Sequence, residues 1–245
     1  MNSVADLRPN RNMTRLLIHV EGETEETFVN EVLAPHLRDC GFSIVGARLL
    51  GNARQRDRRG GIRSWEAIKK DIVRHLKQDG GSASATFVDY YALPASGDGA
   101  WPGRAAAASA AFENKATLVE SGLLADVGQV MGEGCVGRFI PYVVMHEFEG
   151  LLFSDPEAFG TGIGRADLVP KFQAIRDQFA SPEEINDSPI MAPSKRIIAS
   201  IPNYQKPLLG TLAALEIGLE KMRSECPLFD AWVNRLEQWV KAQAE

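Results

Sequence analysis

The sequence predicts an α/β fold, in which a mostly parallel sheet is flanked by helices and followed by a mainly helical C-terminal region. Four short apolar runs alternate with helix-length stretches whose apolar residues recur every three or four positions. Strands that are joined by crossovers of this length pair in parallel, with the helices on the faces of the sheet. From His146 onward the alternation stops and the pattern is mainly helical.

Composition predicts an ordinary globular protein of the cytoplasm. The 245 residues are 44% hydrophobic and 24% charged, which is enough for a sizeable core. No apolar run approaches the roughly 20 residues that span a bilayer, and the polar start lacks a signal peptide's hydrophobic segment, so we expect no membrane contact. Cys40, Cys135 and Cys226 form no Cys-x-x-Cys pair. We therefore expect core thiols rather than disulfides or a zinc knuckle.

The first two predicted strands enclose a helix. Residues 1–13 are polar and aperiodic, which predicts a disordered tail outside the fold. The apolar run at 15–20 predicts a buried strand. Thr24 is a suitable N-cap for the helix that follows, and Gly41 ends that helix. Residues 42–50 then predict the second strand.

The remaining predicted elements complete a core that we place at 14–155. A polar, glycine-bracketed loop at 51–61 precedes an amphipathic helix, which starts near Trp65 and ends at Gly80 and Gly81. The elements predicted after this helix are a third strand at 85–88, an alanine-rich helix at 104–122 and a fourth strand at 138–144.

The region at 156–245 is predicted to be helical and to pack on this core. Its many prolines divide it into short pieces. The last helix is amphipathic, and its apolar face serves either the core or a partner protein. The apolar residues of this helix are Phe229, Trp232, Leu236, Trp239 and Val240.

Acidic residues directly follow three of the predicted strands. Glu21 ends the first strand, Asp89 ends the third, and Glu147 and Glu149 follow the fourth. Ligands of open α/β sheets bind at the carboxyl ends of the strands. Neighbouring carboxylates repel one another unless a cation neutralises them, and Mg²⁺ or Mn²⁺ is the natural candidate for oxygen ligands. The pattern therefore predicts a metal site.

Two residues near these acids allow two interpretations each. Glu25 lies one helical turn beyond Glu21, so it either completes the metal site or merely complements the positive end of the helix dipole. His146 is either a metal ligand or acid-base group, or a hydrogen-bonded structural histidine, which is the commoner role. For Glu147 and Glu149, too, the alternative is that the acids merely complement the positive end of a helix dipole.

The segment at 48–63 is strongly basic, with six arginines against the single acid Asp57, in a protein whose net charge is −5. Its glycines allow close backbone approach, so we favour contact with nucleic-acid phosphates over a solvated loop. Trp101 is either a base-stacking or a core residue. The predicted nucleic-acid-binding residues are Arg54, Arg56, Arg58, Arg59, Arg63 and Arg104.

Several longer segments resemble one family, in the order in which that family has them. They are HVEGETEETF at 19–28, GNARQRDRRGG at 51–61, FVDYYALP at 87–94, WPGR at 101–104, FIPYVVMHEFEGLLFSD at 139–155, EEINDSPIMAPSKRI at 183–197, YQK at 204–206 and CPLFDAW at 226–232. On these segments the chain is identified as a member of the Toprim-like domain-of-unknown-function family 4276. It resembles the Toprim fold of topoisomerases, primases and overcoming-lysogenization-defect nucleases over nearly its whole length after Met13.

The resemblance implies roles for particular residues. It assigns the leading glutamate to Glu21, a helix-borne carboxylate to Glu25 and the first aspartate of an Asp-x-Asp pair to Asp89. The second aspartate position is Tyr91, so Glu147 and Glu149 are expected to replace that ligand. The lysine that some related nucleases hold near the scissile phosphate is matched by Lys195. The predicted catalytic residues are Glu21, Asp89, Glu147 and Lys195.

The function implied is a metal-dependent nuclease, or nuclease subunit, that cleaves DNA or RNA and acts in antiviral defence with an ATPase partner. The chain has no Gly-x-x-x-x-Gly-Lys-Ser/Thr loop, so we expect ATP hydrolysis to come from that partner. A homodimer is compatible with the sequence. The alternative is a non-catalytic module that binds nucleic acid, a nucleotide or a protein, which the loss of the second aspartate favours. We expect no topoisomerase activity, because 245 residues leave no room for the additional domains that carry the tyrosine nucleophile of strand passage.

Overall fold

The computed structural model describes residues 13–50, 64–132, 136–185 and 191–244, which form a parallel sheet with helices on both faces. The strands are β1 (Arg15–Val20), β2 (Ile44–Leu49), β3 (Ser82–Asp89), β4 (Phe139–Ile140) and β5 (Val143–Val144). Their order is β2-β1-β3-β4, and β5 continues beside β3 where β4 ends. The predicted α/β class, with its mainly helical C-terminal region, is confirmed.

The helix after β1 begins earlier than the sequence predicts. It comprises α1 (Glu23–Phe28), a π-helical turn (Val29–Leu33) and α2 (Ala34–Asp39). Gly22, and not Thr24, is the residue before its first turn, because the carbonyl of Gly22 already accepts the N–H of Glu26 at 3.0 Å. Thr24 is buried inside the first turn.

The alanine-rich stretch forms two helices where the sequence predicts one. After α3 (Trp65–Gln78), the chain forms α4 (Arg104–Ala108) and α5 (Phe112–Met131). Gly103 adopts a φ of 77°, and a Cβ there would lie 2.1 Å from the carbonyl oxygen of Leu118. The backbone before α4 thus packs directly on α5, and a continuous helix could not make this contact.

The third and fourth strands also differ from the prediction. β3 starts at Ser82 and includes polar residues that are buried; Ser82, for example, donates its hydroxyl to the carbonyl of Asp79 at 2.7 Å. The fourth strand is divided into β4 and β5 because Pro141 has no N–H to donate to the ladder. Pairing resumes at Tyr142, whose N–H bonds to the carbonyl of Thr86 at 3.1 Å.

Prolines begin most of the C-terminal helices. Pro156, Pro170, Pro193 and Pro227 each stand in a first turn, where the missing N–H would have no intrahelical acceptor. A π-helical turn at Lys206–Gly210 leads directly into the helix at Thr211–Ile217. The helices are α6 (Pro156–Gly162), α7 (Val169–Arg176), α8 (Pro193–Ile198), α9 (Thr211–Ile217), α10 (Leu219–Glu225) and α11 (Pro227–Ala242).

The core lies on the two faces of the sheet. Successive side chains of β3 face opposite sides of the sheet. Phe87 therefore packs with the helices of the C-terminal region, and Val88 packs with α3 and α5. Trp101 is a core residue, 2% exposed, whose ring lies 5.1 Å from that of Trp65. Trp239 stacks on Phe42 with ring centroids 5.6 Å apart. Among the described helices, none is long and apolar enough to cross a membrane.

Candidate active site

The acidic residues predicted from the sequence lie at the carboxyl end of the sheet. Val20 is level with Phe87 in the ladder of β1 and β3, so Glu21 follows β1 close to the point where β3 ends at Asp89. Asp89 is in turn level with Val144 of β5. Glu149 follows in a 3-10 turn (Phe148–Ser154) after β5.

Lys206 reaches into this group from the C-terminal region. Its Nζ lies 3.2 Å from Oε2 of Glu149 and 3.3 Å from Oε1 of Glu25. A third acid, Asp89, has its Oδ2 3.8 Å from the same nitrogen. We call Glu21, Glu25, Asp89 and Glu149 the carboxylate cluster. The ammonium of Lys206 is the cation that contacts three of its members.

The cluster is buried and incompletely hydrogen-bonded. Glu149 is fully buried; no described residue bonds to its Oε1, and its Oε2 lies 3.2 Å from the ammonium of Lys206. Oε2 of Glu21 is likewise buried, without a hydrogen bond from the described part of the chain. Buried carboxylate oxygens without partners are costly and uncommon in folded proteins. Such oxygens are typical of groups that a ligand or substrate completes.

Burial and mutual repulsion change the protonation of these acids. Burial, followed by the charge of Glu25, raises the pKa of Glu21 to about 7. Burial also raises the pKa of Asp89 well above its ordinary value, although Lys206 opposes that change. Burial is also the main cause that raises the pKa of Glu149. The cluster holds more negative charge than one ammonium balances, so additional positive charge would stabilise its ionised form.

The ammonium of Lys206 remains charged in this setting. Burial acts to lower the pKa of Lys206, but Asp89, Glu149 and Glu25 together hold that pKa above its ordinary value. The side chain is 38% exposed, so solvent reaches the cluster beside Lys206.

Two backbone contacts fix the orientation of the acids. Oδ1 of Asp89 accepts the N–H of Phe148 at 2.9 Å, which leaves Oδ2 to face Lys206. Glu147 is half-buried, and its Oε2 accepts the N–H of Ser194 at the start of α8 at 2.9 Å. Glu147 therefore lies at the edge of the cluster, with one oxygen engaged elsewhere, although its charge still contributes to the raised pKa of Glu21.

A glycine makes room for Glu25. A Cβ at Gly22 would lie 3.0 Å from Oε2 of Glu25. Glu25 itself is only 2% exposed and faces Lys206, so it does more than complement the helix dipole.

The comparisons with known proteins identify the family. A family model described as a domain of unknown function (DUF4276) matches residues 20–237. The chain belongs to the DUF4276 family. No curated protein and no solved structure matches it. The match includes all the residues of the carboxylate cluster and Lys206.

Lys206 is the site residue of this DUF4276 protein that the sequence reasoning missed. The lysine predicted for the site, Lys195, lies exposed on α8 beside Lys171 and Met191. Lys206 belongs to the YQK segment at 204–206, which the family resemblance had already marked, and this was the available signal. It follows no strand and lies far from the acids in sequence, so position alone gave no reason to choose it.

Aromatic residues line the neighbouring strand ends of the DUF4276 chain. His146, buried and with a φ of 49°, stacks on Tyr91 with ring centroids 5.2 Å apart. The ring of Phe112 lies 5.9 Å from that of His146. Tyr91, at the position of the missing aspartate, therefore contributes to an aromatic group beside the cluster.

Among the predicted nucleic-acid-binding residues, Arg104 is the one that lies within the described part of the chain. Its guanidinium lies 3.9 Å above the ring of Tyr90, and its Nε donates to the carbonyl of Tyr90 at 3.2 Å. Arg104 is thus held close to the end of β3. The arginines that fall outside the described residues are Arg54, Arg56, Arg58, Arg59 and Arg63.

Proposed function

We propose that this DUF4276 protein is a metal-dependent, Toprim-like nuclease or nuclease subunit that cleaves DNA or RNA phosphodiesters. One observation carries the proposal: buried carboxylates with unpartnered oxygens meet at the carboxyl end of a parallel sheet. This is the edge at which open α/β sheets bind their ligands. A protein that needed these acids only for stability would leave fewer of their oxygens without partners.

The donor atoms suit Mg²⁺ or Mn²⁺. All four members of the carboxylate cluster offer oxygen, which hard divalent ions prefer, and Glu21 and Glu149 have oxygens with no partner among the described residues. Glu21, Glu25, Asp89 and Glu149 would hold the ion, with Glu147 at the edge. A bound divalent ion would neutralise phosphate charge and lower the pKa of an attacking water.

Lys206 neutralises part of the cluster when no divalent ion does so. Within the described residues, no three acids of the cluster each place an oxygen within 4.8 Å of the others, so the carboxylates are not gathered around a common point. The ammonium of Lys206 stands between Glu25 and Glu149 instead. We propose that the divalent ion and this ammonium compete for the cluster. Lys206 is then free to contact the phosphate of the substrate, a role that we assign to it in preference to Lys195.

The basic segment at 48–63 supports a nucleic-acid substrate. Its arginines would neutralise successive phosphates without reading the base sequence. Arg104, fixed against Tyr90 near the end of β3, adds a further cation. The Toprim relationship, the ATPase partner and the role in antiviral defence follow from the resemblance and remain predictions.

A second candidate function is a non-catalytic module that binds nucleic acid, a nucleotide or a protein. Two observations favour it. Lys206 already supplies a cation to the cluster, and Tyr91 stands where a further acidic ligand would be expected and stacks on His146. In this alternative, the ammonium of Lys206 is the permanent counterion of the acids.

Cleavage assays on the full chain separate the two functions. Plasmid DNA, single-stranded DNA and total tRNA would be incubated with the protein and Mg²⁺ or Mn²⁺, or with a chelator. We expect metal-dependent cleavage that Glu21→Ala reduces by about 100-fold or more, because a metal centre contributes several kcal/mol to the transition state. The matched control is Glu157→Gln, which changes an exposed acid on α6 and should cleave normally.

Two results would contradict the nuclease. Cleavage that is undiminished in Glu21→Ala would place the activity elsewhere or in a contaminant. The absence of cleavage on every substrate, together with tight retention of nucleic acid, would favour the binding module. Replacing Arg56, Arg58 and Arg59 with alanine should weaken binding to all sequences alike and flatten its salt dependence.

A further inference from the structure

A second group of ligand-type side chains joins α2 to α11, away from the carboxylate cluster. Nε2 of His36 lies 2.7 Å from Oε1 of Glu237 and 3.6 Å from Sγ of Cys40. One nitrogen, one sulfur and one oxygen thus lie within 4.8 Å of one another. All three residues are half-buried, so solvent ions can reach them.

The fold holds these three side chains together. His36 and Cys40 are four residues apart at the end of α2, so they project from the same side. Glu237 lies on α11, 201 residues after His36. Phe42 stacks on Trp239 with an angle of 10° between the rings, which fixes the end of α2 against α11 directly beside the group.

We propose that His36, Cys40 and Glu237 form a Zn²⁺ site. Imidazole, thiolate and carboxylate are the ligands that zinc takes in proteins, with Zn–N of about 2.0 Å and Zn–S of about 2.3 Å. Tetrahedral coordination at those lengths separates nitrogen from sulfur by about 3.5 Å, which the 3.6 Å between His36 and Cys40 matches. The oxygen of Glu237 needs to withdraw from His36 by about half an ångström, since a nitrogen and an oxygen on one zinc lie about 3.3 Å apart.

Arg223 supplies the positive charge at this place when no metal is bound. Its Nη1 lies 2.6 Å from Oε1 of Glu237 and 3.2 Å from Nε2 of His36. Nε2 of His36 cannot both donate to Glu237 and accept from Arg223, so one of these contacts is not a hydrogen bond. Nε2 of His36 is therefore approached by two partners, of which it can use only one as a hydrogen-bond partner.

Arg223 can release the two ligands without losing its place. Its Nε donates to Asp230 at 2.6 Å and its Nη2 donates to Asn234 at 2.9 Å, and both partners lie on α11. Zinc would replace only the contacts of Nη1. Because His36 and Cys40 belong to the first half of the chain and Glu237 to its last helix, the bound ion would tie α11 to the core.

This inference is independent of the proposed nuclease. The zinc site takes sulfur, nitrogen and one oxygen, whereas the carboxylate cluster offers oxygen alone. Cobalt(II) distinguishes the two, because a thiolate bound to cobalt gives an intense near-ultraviolet charge-transfer band that carboxylates do not give. A negative result for one of the two metal sites therefore does not count against the other.

The experiment is a Co²⁺ titration of the full, metal-stripped chain with a non-chelating reductant, followed by displacement with Zn²⁺. We expect the thiolate band to reach its maximum at one equivalent and to disappear when Zn²⁺ is added. Cys40→Ser should abolish the band, whereas Cys135→Ser, the matched thiol control, and Glu21→Ala should both retain it. A wild-type protein without the band, or a band that persists in Cys40→Ser, would overturn the proposal.

Zinc affinity, measured by competition with a chromophoric chelator, tests the roles of His36 and Arg223. His36→Gln should weaken binding by at least about tenfold, since even indirect partners of a metal contribute that much. Arg223→Gln should tighten binding, because it removes the competing guanidinium. Unchanged affinity in His36→Gln would overturn the ligand set. Weaker binding in Arg223→Gln would overturn the competition between zinc and Arg223.

Discussion

Glu149 is the residue that most clearly separates function from stability in this structure. It is 0% exposed, and one of its oxygens has no hydrogen bond from any described residue. A buried carboxylate in this state costs several kcal/mol unless it is paired or protonated. Proteins retain such groups where a ligand or a reaction uses them.

Glu149→Gln should therefore stabilise the protein while it damages the site. The amide has nearly the same shape but carries no charge, so we expect a gain of about 1 kcal/mol in the free energy of unfolding. Urea denaturation measures this gain. Glu157→Gln, on the exposed side of α6, is the control and should change stability by less than about 0.5 kcal/mol. A destabilised Glu149→Gln would mean that the carboxylate is structural.

The sequence predicted part of the site at this scale. Glu21 and Asp89 could be found because each directly follows a strand, and the carboxyl ends of parallel strands meet at one edge. Lys206 could not be found in this way, since long-range packing of a π-helical turn brings it to the acids. Cys40 was expected in the core, yet it is half-buried beside His36, while Cys226 is buried as predicted.

At the scale of elements, the packing of the backbone before α4 on α5 depends on one glycine. Gly103 combines a φ of 77° with backbone contact, because an added Cβ would lie 2.1 Å from the carbonyl oxygen of Leu118. Gly97 has a similar φ of 78°, but a Cβ added there would have no neighbour within 4 Å. Comparing alanine substitutions at Gly103 and Gly97 therefore separates the cost of backbone strain from the cost of steric overlap.

Gly103→Ala should destabilise the protein by about 3 kcal/mol or more, since it adds steric overlap to backbone strain. Gly97→Ala, the matched control, should cost only about 1 kcal/mol, from φ alone. Thermal unfolding followed by circular dichroism measures both. Equal losses in the two variants would show that the contact with Leu118 does not constrain the packing of this backbone on α5.

The sequence could not reveal the break between α4 and α5, because no local signal marks it. The residues around the break are mostly alanines, which favour helix, so no local signal ends the helix at Ala108. Tertiary contact decides the outcome. Ser82 and Ser84 hid the start of β3 in a similar way, because serine has no preference for strands and only burial against neighbouring elements places it there.

At the scale of the whole molecule, His19 couples stability to pH. It is buried in the central strand β1, and no described residue bonds to its Nε2. Burial, with help from Arg48, lowers the pKa of His19 to about 3. Between pH 6.5 and 3 the unfolded chain binds a proton that the folded protein does not bind, so stability falls as the pH falls through this range.

His19→Leu should remove this part of the acid sensitivity. Because the pKa of His19 in the folded protein is about 3, this residue alone should lower the free energy of unfolding by about 2 kcal/mol when the pH falls from 8 to 5. The variant should therefore lose about 2 kcal/mol less than the wild type over that interval. Urea denaturation at the two pH values measures the difference, with pH 8 as the internal reference. Parallel losses in both proteins would rule out His19 as the cause.

The candidate active site also depends on the whole molecule. Glu21 and Asp89 come from the sheet, Glu149 from the turn after it, and Lys206 from the C-terminal region. The buried carboxyl of Glu183 helps to hold that region in place, because it accepts the N–H groups of Leu228 and Phe229 at 2.9 Å each where α11 begins.

Calorimetric titration of Mg²⁺ into the full chain and two variants tests whether the carboxylate cluster binds a divalent ion. If the carboxylate cluster is a metal site, the wild type binds Mg²⁺ saturably at millimolar concentrations and Glu149→Gln does not. Lys206→Gln should bind about tenfold more tightly, which corresponds to about 1.4 kcal/mol from removing the competing ammonium. If neither the wild type nor Lys206→Gln binds Mg²⁺, the carboxylate cluster is not a metal site, and Lys206 is the permanent counterion of a non-catalytic module.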